Sequence, residues 1–115
     1  MYRLITVIVA CAVVIVMMTM LVAHARNVRL TNCLLDFCFT LDGRIGACVN
    51  LNCKVWDIAP ACLMFPEAGG IITDLRGRVI ELELGTKAPL CNYAVVGGYP
   101  TLHKQVLALA RKAGL

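Results

Sequence analysis

Apolar residues fill one unbroken stretch at the start of the chain and afterwards fall into short groups with the spacing of helices and strands. From Leu4 to Ala25 no residue is formally charged, and the run LITVIVACAVVIVMMTMLVA is almost purely aliphatic. About 20 such residues in a helix cover the ~30 Å hydrocarbon layer of a bilayer. The pattern therefore predicts a hydrophobic helix over residues 4–25 that would serve as a membrane span or anchor. Arg3 lies before it and Arg26 and Arg29 after it, so the flanking charges set no orientation. Two other readings fit the same run. It has the h-region of a signal peptide, with Ala23-His24-Ala25 as an A-x-A cleavage site. It would also serve as a strand and helix in a larger core.

Beyond residue 29 the pattern changes. Leu34, Leu35, Phe37, Cys38 and Leu41 have near-helical spacing, with Thr31 or Asn32 as N-cap and Asp42-Gly43 as the turn that ends the helix. Residues 45–51 (IGACVNL) read as a strand. Trp56-Asp57 opens a second helix with Asp57 as N-cap and Pro60 in the first turn, where a missing N–H costs little. Ala59, Cys62, Leu63 and Phe65 would form its buried face, and Gly69-Gly70 would end it. Residues 70–75 predict a strand, Arg76-Gly77-Arg78 a turn, and the alternating VIELEL of 79–84 a half-exposed strand. A loop at 85–89 leads to a buried strand at 92–97. A last amphipathic helix, LHKQVLALARKA, is capped by Thr101, with Arg111 and Lys112 at its negative end, Gly114 just beyond it and His103 facing solvent. Strands alternating with helices predict a layered α/β fold.

Composition narrows the chemistry. Eleven Lys/Arg against seven Asp/Glu give a net charge of +4. The basic residues are scattered and not interleaved with aromatics, so they read as a solvated surface and no nucleic-acid partner is expected. The seven cysteines form no Cys-x-x-Cys pair and only two histidines accompany them, which gives poor support for zinc. Buried reduced thiols are the better reading.

The chemistry is concentrated in residues 56–80, WDIAPACLMFPEAGGIITDLRGRVI. Trp56-Asp57, Ala59, Glu67-Ala68-Gly69-Gly70, Thr73-Asp74 and Gly77 resemble the second signature of the inositol monophosphatase family. Arg29 and the Asp42-Gly43-Arg44 turn resemble the family's preceding helix and turn. The strand near Val95 and the helix from Leu102 resemble its last strand and helix. The resemblance implies that residues 27–115 are the C-terminal subdomain of the inositol monophosphatase/sugar phosphatase fold, with residues 1–26 as a separate hydrophobic segment. It implies hydrolysis of a small phosphate monoester, such as an inositol phosphate, a sugar phosphate or a nucleotide 3′-phosphate. It further implies Mg²⁺ as cofactor, Asp57 as a metal ligand and a cytoplasmic setting. Mg²⁺ takes oxygen ligands, and a helix N-terminus favours phosphate, so an aspartate there suits both. Asn50 stands about where some family members place a substrate-contacting glutamate. Glu67, Gly69 and Gly70 read as structural, Trp56 as a packing anchor and Asp74 as a turn residue.

The family's first signature, Asp-Pro-x-Asp-Gly-Thr, occurs nowhere in the sequence. Asp36, Asp42 and Asp74 form no paired-carboxylate cluster that would replace it, and no catalytic residue is assigned. Pro66, in the last turns of the second helix, is a further departure. The expectation is a truncated or divergent member, incomplete unless a complementing chain or a homo-oligomer supplies the rest. Two rivals remain: a small non-enzymatic protein anchored in a membrane through residues 4–25, and a poorly folding remnant with open strand edges.

Overall fold

The uncharged run winds into a single helix, α1 (Tyr2–His24), in the computed structural model, which describes residues 2–25 and 34–114. Arg29 and the Thr31 and Asn32 caps expected for the next helix fall outside the described residues. The chain continues through α2 (Leu34–Leu41), β1 (Ala47–Cys53), α3 (Val55–Glu67), β2 (Ile71–Asp74), a 3₁₀ turn at Ala88–Leu90, β3 (Tyr93–Gly98) and α4 (Pro100–Lys112). The three strands form one antiparallel sheet in the order β1-β3-β2. The predicted α/β layering holds.

Cross-strand partners share a face, and successive residues alternate faces. Cys48, Gly97 and Ile72 form one row across the sheet, and Val49, Val96 and Thr73 the next. The first row, with Val95, faces α2 and α3 and builds the core with Phe37, Ile58, Ala61 and Phe65. The second faces α4, where Thr73 meets His103. Helices thus cover both faces of the sheet. α1 touches α4, and Met17 is its one fully buried side chain.

Several local expectations change. Residues 79–84 form no strand. Their alternation survives, because Ile80 and Leu82 pack on the core while Val79 and Glu81 are exposed. No ladder holds them, and the Glu83 N–H donates instead to the Tyr93 hydroxyl at 2.8 Å. The inward face of α3 is Ile58, Ala61 and Phe65, whereas Ala59 and Cys62 are half-buried and Leu63 is exposed. With apolar residues at nearly every position of VWDIAPACLMF, periodicity could not choose the face. α4 is capped by Tyr99 with Pro100 at the first helical position, not by Thr101. Proline suits that position because its φ is preset and its missing N–H would have no helical partner.

His103 is buried, not solvent-facing. Its Nε2 lies 2.8 Å from Thr73 Oγ1, and the Thr73 hydroxyl also lies 2.9 Å from the Asp74 carbonyl, to which it donates. Burial holds the His103 pKa below its ordinary 6.5. A depressed histidine pKa means that the unfolded chain binds the proton first as pH falls. Stability is therefore full above about pH 6.5 and falls as pH drops from there to the folded-state pKa. Urea midpoints should decline over that interval, and His103→Gln should flatten the decline. An unchanged profile in the variant would rule His103 out as its source.

Candidate functional site

α3 begins where β1 ends. The pairing of β1 with β3 shifts between Asn50 and Cys53, an irregularity of the kind that redirects a strand next to a site. Lys54 is the helix N-cap, with extended backbone (φ −97°, ψ 163°), so Asp57 is the third helical residue and not the N-cap. Its carboxylate reaches back, and Oδ2 accepts the Lys54 backbone N–H at 3.0 Å. In return the Asp57 N–H donates to the Lys54 carbonyl at 3.0 Å. An acid at this position satisfies a donor and complements the positive end of the helix. Asp57 is half-buried. The Lys54 ammonium donates to the Pro89 carbonyl at 2.9 Å, tying the 3₁₀ turn to this end of α3.

Cys53, one residue earlier, is fully buried. Burial, then the Asp57 carboxylate, then Cys48 push its thiol pKa up to about 11. Burial likewise raises Cys48, against the smaller lowering effect of its hydrogen bonds with Thr40 and Gly97. Neither thiol is a nucleophile at neutral pH. The expectation of buried thiols holds for these two, while Cys38, Cys62 and Cys91 are half-buried and Cys11 is exposed.

The other signature residues occupy distinct places. Trp56 is 60% exposed and packs no core. At the second helical position it points away from the Ile58–Ala61–Phe65 stripe. Asn50 pairs with Val95, which puts it on the sheet face that α3 covers, half-buried. Glu67 is the last residue of α3 and exposed. Gly69 (φ +80°) and Gly70 complete a Schellman end, in which the Gly70 N–H donates to Phe65 O at 2.8 Å and the Gly69 N–H to Pro66 O at 3.2 Å. The helix keeps both Pro60 and Pro66 inside it.

Asp74 is a turn residue, as expected. Oδ1 accepts the Arg76 and Arg78 N–H groups, each at 2.8 Å, and Oδ2 accepts Arg78 Nε at 2.9 Å. Burial alone would raise its pKa. The Arg78 backbone and guanidinium bonds, with the Arg76 bond, outweigh burial and hold the carboxyl below its ordinary value. A surface cleft of about 660 Å³ lies here, lined by Asp74, Arg76, Arg78 and Tyr93 among others. Neither Asp57 nor Asn50 lines it, and the Asp74 carboxylate is spent on the turn.

Mg²⁺ binding needs several oxygen ligands, carboxylates foremost. Asp57 commits one oxygen to the helix end, and among the described residues no three His, Cys, Asp or Glu side chains converge. These residues do not by themselves fit a Mg²⁺ site.

A protein-family model described as the inositol monophosphatase family matches residues 11–115. The chain belongs to the inositol monophosphatase family. The chain is 30% identical over 87 residues to a bifunctional NADP phosphatase/NAD kinase of Methanococcus maripaludis, covering 73% of this chain and 15% of that protein. It is 34% identical over 79 residues to the Nus factor SuhB of Pasteurella multocida, covering 69% and 27%. It is 29% identical over 84 residues to an inositol-1-monophosphatase of Mesorhizobium japonicum, covering 73% and 29%. Solved structures agree in fold. The SuhB protein of Bartonella henselae superposes with a TM-score of 0.70 at 21% identity, over 87% of this chain and 36% of that one. Inositol monophosphatase II of Staphylococcus aureus gives 0.66 at 17%, over 80% and 32%. The chain thus spans less than a third of these three relatives' length. Family membership brings phosphatase relatives with it and leaves the substrate open.

Proposed function

We propose that this family member contributes one carboxylate, Asp57, to a site that hydrolyses a small phosphate monoester, and that the residues in this chain do not complete that site. The observation that carries the reading is the fixed Asp57 carboxylate at the N-terminal turn of α3, inside the signature run from Trp56 to Gly77. The helix end offers backbone N–H groups and a positive dipole toward an anion. Asn50, on the adjoining strand, would offer its amide to a substrate hydroxyl. The resemblance implies Mg²⁺, whose further ligands would come from a complementing chain or from residues outside this sequence.

Phosphate release from inositol phosphates, sugar phosphates and nucleotide 3′-phosphates, assayed with Mg²⁺ and the purified chain, should not exceed the blank. Titration calorimetry with Mg²⁺ alone should show weak binding that Asp57→Asn removes. Co-expression with the preceding segment of a family relative should restore turnover, and Asp57→Asn should abolish it. Turnover by the chain alone would refute incompleteness. Restored turnover that is indifferent to Asp57→Asn would refute the role of the carboxylate.

A further inference from the structure

We propose that α1 crosses a lipid bilayer, exchanging its contact with α4 for hydrocarbon on every side. Ten large apolar side chains of α1 are exposed. Val7, Ile8 and Val9 follow one another about 100° apart around the helix, and their exposures are 57%, 58% and 55%. No side of the helix is polar. A helix lying on a membrane surface carries a charged face, and a helix in an α/β layer carries a solvated one. α1 has neither, so a partner seated on one face would leave the others in water. Hydrocarbon covers them all.

The polar groups of the helix fit the same medium. Thr6 Oγ1 donates to the Tyr2 carbonyl at 2.9 Å and Thr19 Oγ1 to the Ile15 carbonyl at 2.8 Å. His24 Nδ1 lies 2.8 Å from the Met20 carbonyl. Every threonine and histidine of the run thus bonds to its own helix one turn back, which is what a solvent without donors or acceptors demands. Residues 4–25 rise about 33 Å at 1.5 Å per residue, enough for a ~30 Å core. Arg3 and Arg26 stand at the two ends, where their heads would reach the headgroups.

Full insertion takes α1 off α4, so the docked and inserted positions exclude each other. One buried methionine stands against ten exposed side chains, and lipid wins that balance wherever it is available. The rival cover is protein, either a second copy or more of the family fold, since the family match begins at residue 11, inside α1.

Cys11, exposed and mid-helix, reports the outcome directly. The full chain would be expressed in bacteria, and its membrane fraction washed with alkaline carbonate. Purified protein would then be reconstituted into phosphatidylcholine vesicles and floated. Intact chain should stay with the membrane and float with the vesicles. Cys11, followed by mass spectrometry of the N-terminal peptide, should resist a membrane-impermeant maleimide until detergent is added. Val9→Asp combined with Ile15→Asp, both on exposed α1 positions, should abolish flotation while the circular dichroism of the sheet and remaining helices persists. Carbonate-extractable oligomers, Cys11 labelled in sealed vesicles, a mature N-terminus at Arg26, or unchanged flotation of the double variant would each overturn the proposal.

Discussion

Replacing Phe65 with alanine is expected to lower the unfolding free energy by about 3–5 kcal/mol, the range for emptying a fully buried aromatic site. Phe65 joins α3 to everything beneath it. Its ring is fully buried and meets Phe37 of α2 edge-on, with centroids 6.1 Å apart and planes at 82°. That geometry adds about 0.5–1.5 kcal/mol beyond simple burial. The ring also closes over two glycines: a Cβ built at Gly70 would lie 3.0 Å from Phe65 Cδ1, and one at Gly97 would lie 2.7 Å from Cζ. Truncation opens a void that backbone on two sides cannot readily fill. Domains of this size hold about 5–15 kcal/mol in all, so the variant should sit near the edge of folding. Urea unfolding followed by far-UV circular dichroism gives the comparison. Leu63→Ala, on the same helix but 69% exposed, is the control and should shift stability by less than about 0.5 kcal/mol. If Phe65→Ala cost under about 1 kcal/mol, the core would not be organised around this ring.

Much of this arrangement was legible in the sequence where glycine, proline and charge punctuate it. Gly69 ended α3 and Gly77 turned the chain after β2 as expected, because positive φ leaves few other residues for those two places. Periodicity failed where the sequence is apolar throughout. In α3 nearly any stripe could be inward, and Trp56 looked like an anchor only because it is large. In VIELEL the alternation was correct for burial, yet alternation says which face is wet and not whether a neighbour offers a ladder. The burial of His103 had a usable signal: Leu107 and Ala110 stand four and seven residues on, the spacing of one helix stripe. The candidate site was readable as a signature, but its geometry was not. Taking Asp57 as N-cap followed residue preference, whereas in the fold Lys54 supplies only backbone at that position and Asp57 serves it from one turn inside.

Gly97→Ala should cost about 1–3 kcal/mol through overpacking, although it adds a single methyl group. Gly97 sits in the middle strand, paired to Cys48 on one side and Ile72 on the other. Its backbone φ is not positive, so the glycine is not there for conformation. A Cβ would stand 2.7 and 2.8 Å from Phe65 Cζ and Cε1 and 2.9 Å from Cys48 Sγ. All three neighbours are held: Phe65 against Phe37, and the Cys48 thiol by its 3.6 Å hydrogen bond to the Gly97 carbonyl. Glycine inside a strand marks close approach by another element, and here that element is the α3 ring. If so, the cost belongs to the pair and not to the strand. Phe65→Leu removes the two ring atoms that clash, so Gly97→Ala should be less damaging in that background, with a coupling of about 0.5–3 kcal/mol in the double-mutant cycle. Strictly additive losses would mean that the alanine acts on the β1–β3–β2 ladder itself. Gly69→Ala separates the two uses of glycine: its Cβ meets nothing within 4 Å, and its penalty comes from φ +80° alone. That penalty should be indifferent to the residue at 65.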